Sequence, residues 1–201
     1  ARVLQAFREG RFVTHALPFT THTESLELED LVRGLRFSSA LARQAGLPLP
    51  RDAKMADVPS HSWIIPTPLA HAGVEFLHLG CNAASSGPAV PRLFYWEGPD
   101  HSRVLTMYSH GGYGTGLVPP PGWPYPVWLA LIHTGDNHGP PRPGEIAQLL
   151  AEARSKLPGV RVRIGRLSDF RDALMQTRPR IPTVRGDMPD ILFGLVAERE
   201  G

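Results

Sequence analysis

What most limits the folds open to this chain is its alternation of short apolar runs with helix-spaced stretches, each run ending on a cluster of polar residues. Residues 53–57, 74–79, 93–97, 103–108, 127–133 and 160–164 read as strands, because short runs rich in branched and aromatic side chains suit a pleated, buried sheet. Residues 11–16 (Arg-Phe-Val-Thr-His-Ala) alternate like a shorter one. Helix spacing marks 1–9, stopped by Gly10, and a long helix from an N-cap at Ser25 through Leu28, Leu31, Val32, Leu35 and Leu41 to Gly46. It also marks 63–72, 143–157 and 168–176, the last capped by Ser168. Strands interleaved with helices imply βαβ units, a parallel sheet and the α/β class. A hairpin around Gly98-Pro99-Asp100 is expected between 93–97 and 103–108.

In parallel sheets, open or closed, loops at the carboxyl ends of the strands gather on one face and build the site. The unusual polar residues of this chain sit in those loops: 20–24, 57–61, 82–86, 110–113 and 136–138. Asp57 ends a strand and is followed by a Pro turn and His61, which offers a carboxylate and an imidazole; capping of the next helix explains the same Asp equally well. A strand ending in Gly135-Asp136-Asn137-His138 supplies acid, base or ligand groups, with an Asx turn as the structural alternative. His22 and Glu24, in a Thr-rich loop, suit hydrogen bonds to a hydroxylated ligand, and Tyr113 lies among aromatics on which sugar rings could stack. His71 and His78 read as packing residues and His101 as a solvated turn residue.

Composition removes several classes. The 201 residues are room for one sizeable domain, and the formal net charge of +2 argues against a nucleic-acid binder. One cysteine, Cys81, excludes an intrachain disulfide framework. No apolar run approaches the roughly 18–20 residues that cross a bilayer, so no membrane partner is expected and the cytoplasm is favoured. Gly and Pro make up about a fifth of the chain, which places its chemistry on loops. The chain opens without an initiator Met and closes without a capping element, and is read as part of a longer protein.

These residues together resemble a known family. Arg8-Glu-Gly-Arg-Phe, a polar loop ending in Thr23-Glu24, a long helix and then Asp57-Val-Pro-Ser-His61-Ser resemble the catalytic domain of glycoside hydrolase family 38, the α-mannosidase type. An uncharacterised bacterial branch of that family, whose turn reads Asp-Val-Pro-Gly-His-Thr, is similar. Ala72-Gly73-Val74, Asp100-His-Ser-Arg103-Val-Leu-Thr-Met and Gly135-Asp136-Asn137 follow in the family's order, so the likeness covers most of 8–176.

The resemblance implies an irregular parallel β/α barrel of the glycoside hydrolase and deacetylase kind, incomplete at its ends. Residues 1–201 would form one partial catalytic domain, with 177–201 a poorly defined tail. It implies zinc-dependent, retaining hydrolysis of α-mannosides or related sugars, with a carbohydrate as the partner. Asp57 would be both nucleophile and zinc ligand, and Asp136 (or the Asn137 position) the acid/base. His22, Glu24, His61, Tyr113, Asn137 and His138 would be substrate-binding. The family's His-x-Asp pair is missing before Asp57 and no histidine follows Asp187, so the other zinc ligands are expected outside this chain. A non-catalytic carbohydrate-binding barrel and a deacetylase-like metal hydrolase are the alternatives.

Overall fold

The computed structural model describes residues 2–58, 60–132 and 139–189. They form two compact units: 1–113 with 180–201, and 114–179. The first holds helices α1 (Arg2–Arg8), α2 (Leu28–Ala45) and α3 (Pro66–His71) and strands β1 (Asp52–Ala56), β2 (Phe76–Gly80), β3 (Leu93–Glu97), β4 (Arg103–Ser109) and β5 (Thr183–Arg185). The second holds α4 (Pro143–Lys156) and α5 (Leu167–Gln176).

The strands build one sheet in the order β1-β2-β4-β3-β5. β1, β2 and β4 are mutually parallel, whereas β3 runs antiparallel to β4 and parallel to β5. The expected α/β class holds, and in place of a closed barrel the described residues form an open, mostly parallel five-stranded sheet with β3–β4 as its one antiparallel pair. The hairpin at Gly98–Asp100 is the reason, since so short a connection can join only antiparallel neighbours. Gly98 N–H donates to Ser102 O, and the Asp100 carboxylate accepts from Ser102 and Thr67.

Alternation along the strands sends Ala53, Met55, Leu77, Leu79, Phe94, Trp96, Val104 and Tyr108 to one face, in a single cluster with Leu31 and Leu35 of α2 and Ile65 and Leu69 around α3. Phe76, His78, Leu105 and Met107 point the other way and are equally buried. A strand buried on both faces reads as a continuous apolar run, as β2 does. α2 buries Leu31, Leu35, Ser38, Ala42 and Ala45, one stripe at helical spacing. It stops at Gly46, whose φ of +69° lets Gly46 and Leu47 donate back to Arg43 O and Ala42 O. Leu79 is fully buried in the cluster, so Leu79→Ala is expected to cost about 3 kcal/mol. Urea unfolding should show a lower midpoint at unchanged slope.

Among the described residues three expected strands do not form. Residues 11–16 form no strand: Ala16 N–H donates to Asp52 O and Ala16 packs in the core, but Phe12 and Val13 are exposed. In 127–132 the polar groups are taken by loop partners: Trp123 Nε1 donates to Val127 O, and Leu131 N–H to Thr115 Oγ1. Trp123, Tyr125 and Trp128 pack edge to face there as the loop's own small core. Residues 160–164 leave Val160 and Ile164 exposed with no strand beside them. An alternating pattern without a sheet edge to pair with stays irregular. β5, in contrast, lies within the stretch read as a tail. Among the described residues no helix is long and apolar enough to cross a membrane.

Candidate active site

Because β1, β2 and β4 are parallel, their carboxyl ends share one edge of the sheet. Asp57 follows β1, Cys81 and Asn82 follow β2, and His110 to Tyr113 follow β4. Asp57 leaves the pleat at once, with a φ of +68°. Asp is among the few L residues that enter the left-handed region at modest cost, and such positions gather at functional sites. Its N–H still donates to Gly80 O at 2.9 Å, so the backbone stays tied to β2 while the side chain swings out into solvent.

The Tyr113 hydroxyl donates to Asp57 Oδ1 at 2.6 Å, the length of a strong bond to a carboxylate. Two of the residues singled out in the sequence are thus brought together across 56 positions. The loop carrying Tyr113 is held from both sides. Cys81 and Gly112 form an antiparallel bridge, and His78 Nε2 lies 2.8 Å from Ser109 Oγ at the last residue of β4.

The other predicted residues form a second group. Ser60 Oγ donates to Glu24 Oε2 at 2.8 Å, and Thr23 Oγ1 accepts from Ser62 N–H at 3.0 Å and lies 3.4 Å from His61 Nδ1. The backbone of His61 pairs both ways with Met188. His61 is buried. Its imidazole is held down to about 4, chiefly by burial and then by the neighbouring His22, against a hydrogen bond to the Val58 backbone. A neutral, enclosed imidazole braces the 57–62 turn against the 20–24 loop. His22 and Glu24 are exposed beside it. Asp136, Asn137 and His138 lie outside the described residues.

Sequence reasoning missed Gly80 and Ser109. A strand-end glycine reads as punctuation, and Ser109 has meaning only through His78 on a different strand. His78 is buried as expected, with Nδ1 left without a partner. His71, expected in packing, instead sits exposed with Nε2 2.9 Å from the Asp100 carboxylate. Among the described residues no three His, Cys, Asp or Glu side chains are placed to hold a metal ion, and the polar neighbour of Asp57 is a phenol, a poor match to the nitrogen and carboxylate donors zinc takes. The described donor set does not fit zinc.

The structure resembles that of an α-mannosidase from Enterococcus faecalis V583, with a TM-score of 0.70 at 16% sequence identity. The match covers 92% of this chain and 23% of the neighbour's, so the chain corresponds to about a quarter of that protein. No protein-family model matches the chain, and no curated protein does.

Proposed function

We propose that this chain carries the nucleophile face of a retaining glycosidase acting on α-mannosides or related sugars. The observation that carries the proposal is Asp57: an exposed carboxylate in a left-handed conformation, at the carboxyl edge of three parallel strands, with a tyrosine hydroxyl fixed on one oxygen. The likeness in fold to an α-mannosidase supports it.

In the first step a carboxylate oxygen of Asp57 attacks the anomeric carbon. The bond to the departing oxygen breaks, its electron pair stays with that oxygen, and an acid delivers the proton. In the second step the same residue, now a base, deprotonates water, which attacks the anomeric carbon and releases Asp57. Asp136 is proposed for the acid/base role. Glu24 and His22 are proposed to meet sugar hydroxyls. A zinc site at Asp57 would need ligands from outside the described residues, and neither step is written through a metal.

An activated 5-fluoro-α-mannosyl fluoride, which reacts with a nucleophile and then releases slowly, tests the proposal directly. One mannosyl adduct per chain is expected, on the peptide containing Asp57. An adduct on another residue would remove Asp57 from the mechanism.

A further inference from the structure

At the candidate site the end of β2 and the Tyr113 loop approach each other where β2 carries no side chain. A Cβ built on Gly80 would meet Gly112 O at 2.6 Å and the Cα of Tyr113 at 3.3 Å. Any other residue at position 80 would push the 112–113 backbone away from the end of β2, because a rigid backbone atom cannot swing aside as a flexible side chain can. Gly80 is also the residue whose carbonyl accepts the Asp57 N–H. One glycine therefore sets both halves of the Asp57–Tyr113 pair: it fixes the backbone of the aspartate and admits the backbone of the tyrosine.

The rest of the loop is arranged to keep that fit. The Cys81–Gly112 bridge holds the loop in register, and the Ser109–His78 contact pins the strand that launches it. Gly111, with a φ of +74°, turns the chain between the two anchors. Asp57 Oδ1 takes the Tyr113 hydroxyl, while Oδ2 accepts no hydrogen bond from the described residues.

The geometry points to Gly80 and Tyr113 as a positioning pair that fixes the Asp57 carboxylate, committing Oδ1 to the phenol and presenting Oδ2 as the oxygen that bonds to carbon. This rests on the reading of Asp57 as a glycosidase nucleophile. Tyr113 stays hydrogen-bonded to Oδ1 while Oδ2 forms the ester to the anomeric carbon, and it neither gains nor loses a proton in either step. A carboxylate free to rotate would spend much of its time with neither oxygen on the line of attack, and misplacement of a reacting group by about 1 Å can cost on the order of 100-fold in rate.

Tyr113→Phe and Gly80→Ala are compared with wild type in three measurements: the rate of Asp57 labelling by 5-fluoro-α-mannosyl fluoride, kcat and KM on an aryl α-mannoside, and urea unfolding. Both variants should label and turn over about 10- to 100-fold more slowly, with KM changed by less than about twofold. A double-mutant cycle of Tyr113→Phe with Asp57→Ala should show coupling of about threefold or more in the unfolding constant, a readout independent of activity. Variants that label and turn over at the wild-type rate, while the wild type is labelled at Asp57, would overturn the pairing. So would a loss confined to KM or to stability, which marks a merely structural contact. A wild type that is never labelled overturns the glycosidase reading and the positioning role together, and is told apart from the first failure by that absence of label. If Gly80→Ala does not fold, Tyr113→Phe, which removes a single oxygen, decides.

Discussion

Asp57→Ala is expected to lower kcat/KM on an aryl α-mannoside by about 10³-fold or more, equivalent to about 4 kcal/mol of transition-state stabilisation. Alanine leaves a gap where the carboxylate stood, at a site open to solvent. A small anionic nucleophile such as azide can enter that gap and attack the anomeric carbon from the side Asp57 would have used. Azide should therefore restore turnover and leave a glycosyl azide of inverted anomeric configuration, since one displacement replaces two. That product separates a nucleophile from a residue that only orients the sugar, because removing an orienting residue gives no azide adduct. Alanine at a φ of +68° is strained, so Asp57→Gly is the companion variant. It frees the backbone, and should show the same loss and the same rescue. Unchanged turnover in both variants would remove Asp57 from the chemistry.

What the sequence made legible, and what it hid, follow from the range of the interactions involved. α2 could be read because an eighteen-residue amphipathic stripe and a terminal glycine are local signals. β1, β2 and β4 could be read because their burial on the sheet shows as short apolar runs. β5, with three residues, exists only because Tyr95 and Glu97 of β3 offer it a ladder at Thr183 and Arg185, a partner more than eighty positions away. Residues 11–16 and 160–164 carry the same local pattern and lack such a partner. Helix starts were misplaced for a related reason. Ser25 and Ser168 have capping chemistry, yet α2 begins after Glu27 and α5 after Arg166, whose N–H is satisfied by the Asp169 carboxylate. Asp57 was legible as a carboxylate at a strand end. The hydroxyl that orients it was not, because the contact depends on β2 and β4 being neighbours and on Gly80 being small.

Acid should begin to weaken the protein well above the pH at which carboxylates ordinarily protonate. His61 and His78 are both enclosed and neutral, held down to about 4 and about 3 by burial above all, with His22 and Lys54 respectively adding to the effect. His15 and His110 are lowered in the same sense, again chiefly by burial. In the unfolded chain each imidazole titrates near 6.5. Below that pH the unfolded state binds protons that the folded state refuses, so stability falls as pH falls. The His61 contribution is complete above about 6.5 and lost progressively down to about 4; that of His78 continues down to about 3. At about 1.4 kcal/mol per pH unit, His61 alone accounts for a loss on the order of 3 kcal/mol. A whole domain holds only about 5–15 kcal/mol, so two such groups bring it near unfolding by about pH 4. Carboxylates act later. Asp100, held low by Thr67 and Ser102, and Glu97, held low by His101 and Arg185, keep their charge in the folded state, so their contribution is lost as pH falls through the ordinary carboxylate range, where the unfolded chain takes up protons first, and on below it. The interval from pH 6.5 to 4.5 therefore isolates the histidines. Urea midpoints should fall steadily across it, and His78→Gln should flatten the slope even if it lowers stability at pH 7. A midpoint that stays level from pH 7 to 5 would mean that these imidazoles reach solvent, and that the brace between the 20–24 loop and the Asp57 turn is open.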